Sequence, residues 1–329
     1  MAKKIIAIIL ALCTVAVTVF VLWQADIINF PYQLKPKPQP KIEKTCTISV
    51  GDKTVTLGMS RQDIEALFGS PCDTIVSEYG FIWNIYHNNF KNYIQIGIDN
   101  DTVVAMYSNS PDLSFKSLTV GSPKEEAPAK LNDPLDGIVK GDTRYLSNGS
   151  DKNANFEIFK ADGAYVTLFY DSLANNSITS VNIIDYDVEQ SFKRLYAEPT
   201  QELKESFEKQ SFYITNATRV REGLSPYLPH RQLDEIAYAH SSDMVENDYF
   251  SHTNLNGDTV LERGLNYEIV FAAIGENLAM GAQNSLYMHE LLMNSEGHRK
   301  NILADFTHLG TGVAFKDDGS PYLTQNFLK

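Results

Sequence analysis

Cysteine is scarce in this chain. Its three residues, Cys13, Cys46 and Cys72, include no C-x-x-C pair, too few for a disulfide framework or a thiolate metal cage. Cys46 and Cys72 would pair in an oxidising compartment or pack as two separate thiols, and the second outcome is the expected one. Positive charge is also short, with 28 Lys and Arg against 41 Asp and Glu and a formal charge of -13. A phosphate backbone needs a basic face, so nucleic acid is excluded as a partner. No G-x-S-x-G nucleophile elbow occurs, because Gly223-Leu224-Ser225-Pro226-Tyr227 lacks the closing glycine. His289-Glu290 does not open a zincin helix, since Met293 stands where the second histidine of H-E-x-x-H belongs.

What is present suits a large globular protein: 329 residues, 43% hydrophobic and 21% charged, enough for two cores. Lys3 and Lys4 precede an uncharged run from Ile5 to Trp23, which as a helix would be roughly 28 Å long, close to a bilayer core. It reads as a membrane anchor or secretion signal over residues 1–25. The exit, Val21-Leu22-Trp23-Gln24-Ala25-Asp26, lacks a small-x-small cleavage site, which favours an uncleaved single-pass anchor over secretion after cleavage. The flanking lysines then place the chain beyond it outside the cell. Residues 26–45 alternate Pro31, Pro36, Pro38 and Pro40 with Lys35, Lys37 and Lys41, the composition of an extended spacer.

Residues 46–190 carry what looks like an internal duplication. Leu57-Gly58-Met59-Ser60 opens a helix through Phe68, and Val120-Gly121-Ser122-Pro123 opens a second through Leu131. Strand-like runs follow each, Phe81 to Tyr86, Tyr93 to Ile98 and Thr102 to Tyr107 in the first, Phe156 to Phe159, Tyr165 to Tyr170 and Ile178 to Ile184 in the second. The period-two aromatics Tyr79, Trp83, Tyr86, Tyr93 and Tyr107 are expected in a core rather than on a binding surface. A polar stretch containing Pro199 places a linker at 191–207.

From residue 208 the pattern changes. A helix carrying Asn216 and Arg219 stops at Gly223, and Leu233, Ile236, Ala237, His240 and Met244 recur at helical spacing. His240 is expected as a satisfied core histidine, with a ligand role as the alternative. Three polar clusters interrupt apolar sequence: Phe250-Ser251-His252, Gly275-Glu276-Asn277 and Asn294-Ser295-Glu296-Gly297-His298-Arg299. Two imidazoles and a carboxylate that converge would hold a small ligand or a metal ion.

These clusters occur in order with Ala239-His240-Ser241-x-Asp243-Met244, Gly310-x-Gly312-Val313 and Tyr322-x-Thr324-Gln325-Asn326-Phe327. Residues 208–329 thereby resemble the CAP superfamily (cysteine-rich secretory proteins, antigen 5, pathogenesis-related 1) in its bacterial SCP-like form. The repeats resemble the CAP-associated N-terminal domain of Gram-positive, Bacillus-type membrane proteins. The resemblance implies an α+β protein, with a C-terminal α-β-α sandwich preceded by a duplicated helix-plus-antiparallel-sheet domain. It also implies a cleft built on a tetrad of two histidines and two glutamates. His252, Glu276 and His298 match three of these positions, and Ser295 falls at the fourth, with Glu290 or Glu296 as nearby substitutes. His252, His298 and Glu276 would be metal ligands, for a divalent ion such as zinc, and Ser251, Asn277, Ser295 and His240 would line the cleft. Two functions follow. One is a cell-surface module, tethered to the membrane, whose cleft binds a lipid, peptide or wall-derived ligand. The other is a metal-dependent, protease-like hydrolase with Glu276 as catalytic base. A third reading gives His252, His298 and Glu276 only the task of fixing three loops together.

Overall fold

The β-branched and aromatic runs between residues 47 and 185 form strands, as their composition dictates. The computed structural model describes residues 44–146 and 155–329, which fall in one compact unit. The apolar run and most of the spacer lie outside the described residues. In chain order, β1 (Thr47–Val50) and β2 (Lys53–Thr56) precede helix α1 (Arg61–Phe68), then β3 (Asp73–Val76), β4 (Ile82–Asn88), β5 (Lys91–Asp99), β6 (Thr102–Ser108), β7 (Leu113–Phe115) and β8 (Leu118–Thr119). The second half continues through α2 (Ala127–Leu131), β9 (Gly137–Lys140), β10 (Thr143–Leu146), β11 (Phe156–Ala161), β12 (Ala164–Asp171), β13 (Ser177–Asp185) and α3 (Tyr186–Ser191).

The two repeats fuse edge to edge. Strands β3 to β6 of the first and β11 to β13 of the second share one seven-stranded sheet of order β11-β12-β13-β6-β5-β4-β3, joined where Ile184 pairs with Ala105. The first helix starts on a Ser60–Asp63 capping box. The second is shorter than its sequence suggests: a 3-10 turn over Lys124–Glu126 comes first, and Pro128, which has no N–H to extend that turn, sits in the first turn of α2. Trp83, Tyr86, Tyr93 and Tyr107 are all buried. Cys46 is buried and Cys72 exposed, both as free thiols.

The C-terminal region comprises α4 (Gln201–Arg221), β14 (Leu228–Pro229), α5 (Arg231–Glu246), α6 (Val260–Asn266), β15 (Ile274–Met280), α7 (Ser285–Met293), α8 (Glu296–Leu303), β16 (His308–Phe315) and β17 (Pro321–Leu328). Its sheet has the order β14-β16-β17-β15. Leu203, Met288, Leu292 and Ile302 of α4, α7 and α8 pack on one face with Leu323 and Phe327, while Leu233 and Ile236 of α5 cover the other with Leu328. This is the α-β-α sandwich. The helix lies on the sheet at backbone contact, since a Cβ on Gly312 would stand 1.9 Å from Tyr238 N and one on Gly310 would stand 2.3 Å from Leu233 Cβ.

Helix α4 begins at Gln201, inside the stretch read as a linker, with its Thr200 cap accepting from Leu203 N at 3.0 Å. It is polar yet buried because sheets flank it. Gln210 donates to Gln95 Oε1 at 2.9 Å and Ser206 accepts from Val76 N at 2.9 Å on one side, and Ser211 and Thr215 accept from Gln325 at 3.0 and 3.1 Å on the other. Ile214, Ala217 and Leu286 complete the contact by packing with Trp83, Tyr107 and Phe169 of the larger sheet.

Candidate functional site

Strand β15 is an edge strand, and its alternation distributes the site over two faces. Glu276 turns toward α6 and the Ser251–His252 loop. Its Oε1 accepts from His252 Nδ1 at 2.9 Å, and its Oε2 meets the Arg263 guanidinium. Asn326, directly across the ladder, adds a third donor at 3.3 Å when its amide nitrogen faces the carboxylate, leaving its oxygen to accept from Ala237 N. The Glu276 side chain is 2% exposed, whereas that of His252 is 57% exposed. An imidazole that donates through Nδ1 presents its Nε2 lone pair, so a carboxylate behind the ring fixes both tautomer and orientation.

Asn277, the next residue, points to the opposite face. It is fully buried, donates to His298 O at 3.1 Å and to Gln325 Oε1 at 3.3 Å, and accepts from Asn301 at 2.9 Å. Asn301 also donates to Glu276 O at 3.0 Å. The expected cleft residue Asn277 is thus a clamp that sets α8, and with it His298, against the edge strand. Burial first, and the neighbouring His252 second, hold the His298 imidazole below its ordinary pKa, so its ring is neutral at pH 7. Ser295 caps the start of α8 without a side-chain hydrogen bond to that helix. Ser251 is exposed and offers its carbonyl to His240 Nε2 at 2.9 Å. His240 is 1% exposed, and burial followed by the Arg263 charge keeps it neutral.

The fourth acidic position is not filled by a neighbour. Glu290, expected as a substitute, points away into the large sheet, where Thr179, Ser180 and Tyr107 donate to it at 2.8, 2.5 and 3.4 Å. Glu296 is exposed on the first turn of α8. Among the described residues no three His, Cys, Asp or Glu side chains converge as a metal cage. His252 and His298 are neighbours, and Glu276 spends both oxygens on N–H donors behind His252. Glu276 is therefore the group that orients His252 rather than a free carboxylate beside the two imidazoles.

Residues 57–195 match the CAP-associated N-terminal family, and residues 212–327 match the cysteine-rich secretory protein family. The chain belongs to the bacterial CAP superfamily. A membrane protein of Bacillus subtilis (strain 168), YlbC, is 29% identical to it over 289 residues, covering 83% of this chain and 82% of that protein. YkwD of the same strain is 36% identical over 124 residues, 37% of this chain and 47% of that protein. A solved extracellular protein containing a SCP domain, from Bacillus anthracis strain Ames, superposes with a TM-score of 0.71 at 26% identity, covering 83% of this chain and 93% of that one. A cysteine-rich secretory protein of Staphylococcus aureus shares the fold, with a TM-score of 0.68 at 15% identity over 83% of this chain and 91% of that one.

The motifs of this CAP protein divide between architecture and cleft. Asn216 and Arg219 serve architecture: Asn216 brackets Tyr227 through its backbone at 3.1 and 2.7 Å, and Arg219 donates to Tyr227 Oη and Ile302 O, both at 2.7 Å. Asn294 accepts from Ser172 N and Oγ at 2.7 Å, and Arg299 donates to Asp171 at 2.6 Å, so these two residues dock the CAP domain on β12 and the turn after it. Sequence reasoning missed Arg263, the buried partner of Glu276. The one local signal is Gly264 beside it, where a Cβ would stand 3.0 Å from Ile274 and 3.1 Å from Phe271, the mark of a helix pressed against its neighbours.

Proposed function

We propose that this CAP protein is an extracellular, membrane-tethered binding module whose His252–Glu276–His298 cleft takes a divalent ion and, with it, a lipid, peptide or wall-derived ligand. The observation that carries this reading is the enclosed Glu276 carboxylate. A general base needs a lone pair aimed at water, and Glu276 is 2% exposed with each oxygen accepting from a protein donor, His252 or Arg263. Two imidazoles, one of them held from behind by a carboxylate, are by contrast a binding arrangement. The names of the Bacillus relatives, a membrane protein and an extracellular SCP-domain protein, support the location.

The test is metal content and affinity of the purified full chain, wild type against the double variant His252→Ala with His298→Ala. Zinc or another divalent ion should bind the wild type in the micromolar range and the double variant at least about tenfold more weakly. Equal affinities would sink the reading. If neither protein binds metal and the double variant is destabilised, the imidazoles serve only to fix the loops, because a buried polar group that loses its partner costs about 1–3 kcal/mol.

A further inference from the structure

A cavity of about 300 Å³ opens where the repeats meet the CAP domain, and none of His252, Glu276 and His298 lines it. The repeat side contributes Tyr145 of β10, Phe156 of β11 and Leu195 beyond α3, and the CAP side contributes Tyr287 and Leu291 of α7. These walls are fastened to one another. Tyr145 Oη donates to Lys193 O at 2.5 Å and Gln190 Nε2 to Val139 O at 2.9 Å, which ties the β9–β10 hairpin to α3 and the segment after it. Tyr196 Oη donates to Gly281 O at 2.7 Å and ties that segment to the CAP domain. The Tyr287 ring meets Phe156 edge-on at 5.2 Å, with its Oη paired to Thr167 at 3.0 Å. Packed interiors leave few voids larger than a water molecule. This frame is instead braced around a space at the lower end of the roughly 300–1,000 Å³ of ordinary ligand pockets, and at a domain junction, where such pockets concentrate.

The lining selects the chemistry of an occupant. Its walls are mainly aromatic and aliphatic, and Leu195 and Leu291 on them stay 46% and 42% exposed, apolar surface that an occupant would take from water. Three charged side chains also line the space, Lys140, Glu189 and Arg194. Lys140 and Glu189 satisfy each other: Nζ and Oε1 lie 2.5 Å apart, both side chains are buried, and Tyr79 Oη donates to Glu189 Oε2 at 2.6 Å. Arg194 is the charge left over. Its ion-pair partner, Glu198, lies outside the lining, and with the two side chains 60% and 69% exposed that pair is weak. Two cations against one carboxylate, in a chain of formal charge -13, make this an electropositive spot that favours an anion. We propose that the cavity binds an amphiphilic monoanion, a short hydrocarbon chain or ring bearing one carboxylate, with the hydrocarbon against Tyr145, Phe156, Tyr287 and the two leucines and the carboxylate at Arg194.

The experiment is calorimetric titration of the full chain in phosphatidylcholine nanodiscs, with the heat of empty nanodiscs subtracted, using three probes that share one chain: octanoate, octanol and octylammonium. Saturable one-site binding of octanoate is expected, severalfold tighter than octanol, with octylammonium the weakest. Arg194→Gln, at an exposed position where folding is not at stake, should weaken octanoate about two- to fivefold and leave octanol unchanged, the scale of an exposed charge pair. Leu195→Gln with Leu291→Gln, both at partly exposed positions, should weaken octanoate and octanol alike by at least about tenfold, through lost apolar burial. The proposal is overturned if octanoate gives no saturable heat beyond the empty nanodiscs, or if octanol or octylammonium binds as tightly as octanoate. Octanoate binding that Arg194→Gln leaves unchanged overturns it equally.

Discussion

Glu276 and Arg263 illustrate what a buried ion pair imposes on the residues around it. Their side chains are 2% and 8% exposed, so the carboxylate has no recourse to solvent if the guanidinium is removed. Arg263→Met is expected to cost about 3–5 kcal/mol in urea unfolding, because it strands an uncompensated charge, and adding Glu276→Gln should restore most of the loss. A cost under about 1 kcal/mol would show that the pair does not hold the loops. The histidines and Glu276 were legible in the sequence because polar clusters inside apolar runs stand out. Arg263 was not, because Leu261-Glu262-Arg263-Gly264-Leu265 reads as a helix with a solvated charge, and its burial follows from how α6 meets β15. Glu290 misled for the complementary reason: its spacing suits the cleft, but its rotation about α7 delivers it to another sheet.

Among elements, the contact of α5 with β16 is governed by two glycines. Gly312→Ala should cost about 3 kcal/mol or more, since the intruding methyl meets helix backbone rather than a side chain that can move away. Thermal melts test this, and an unchanged melting temperature would contradict the close approach. Helix α7 carries a second consequence. His289 is fully enclosed, bonded at Nε2 to Thr218 at 2.8 Å, and burial drives its pKa down to about 3 from an ordinary 6.5. The folded state refuses a proton that the unfolded chain accepts, so this group removes stability as pH falls below about 6.5. Glu78 and Asp234, raised by burial to about 7 and about 6, act with the opposite sign, losing stability as pH rises toward those values. The informative quantity is therefore a difference: between about pH 7 and about pH 5 the wild type should lose more stability than His289→Gln, and parallel slopes would refute the assignment. Most strands of the repeats could be read from composition and alternation. The start of α4 could not, because Ser206, within the stretch 191–207, looks like a linker residue until Val76 N of the large sheet donates to it.

At the scale of the molecule, the repeat sheet and the CAP sheet share α4 and α7 as common packing elements. Severing the chain before Thr200 would bare Ile214, Ala217 and Leu286 and leave the Glu290 carboxylate without Thr179, Ser180 and Tyr107. The full chain is expected to unfold in one calorimetric transition, and residues 200–329 alone should melt at least about 5 °C lower and bind a hydrophobic dye. Two separated transitions in the full chain, or an isolated fragment as stable as the whole, would show that the sheets fold independently. The adjacency of His298 and Arg299 carries a mechanical corollary. One side chain belongs to the cleft and the next is bolted to Asp171, with Asn294 fastened to Ser172 a few residues upstream. A force on His298 therefore has a path one peptide bond long into a seven-stranded sheet. The cleft rests on a stiff foundation, and its compliance is set by the repeats as much as by the CAP fold.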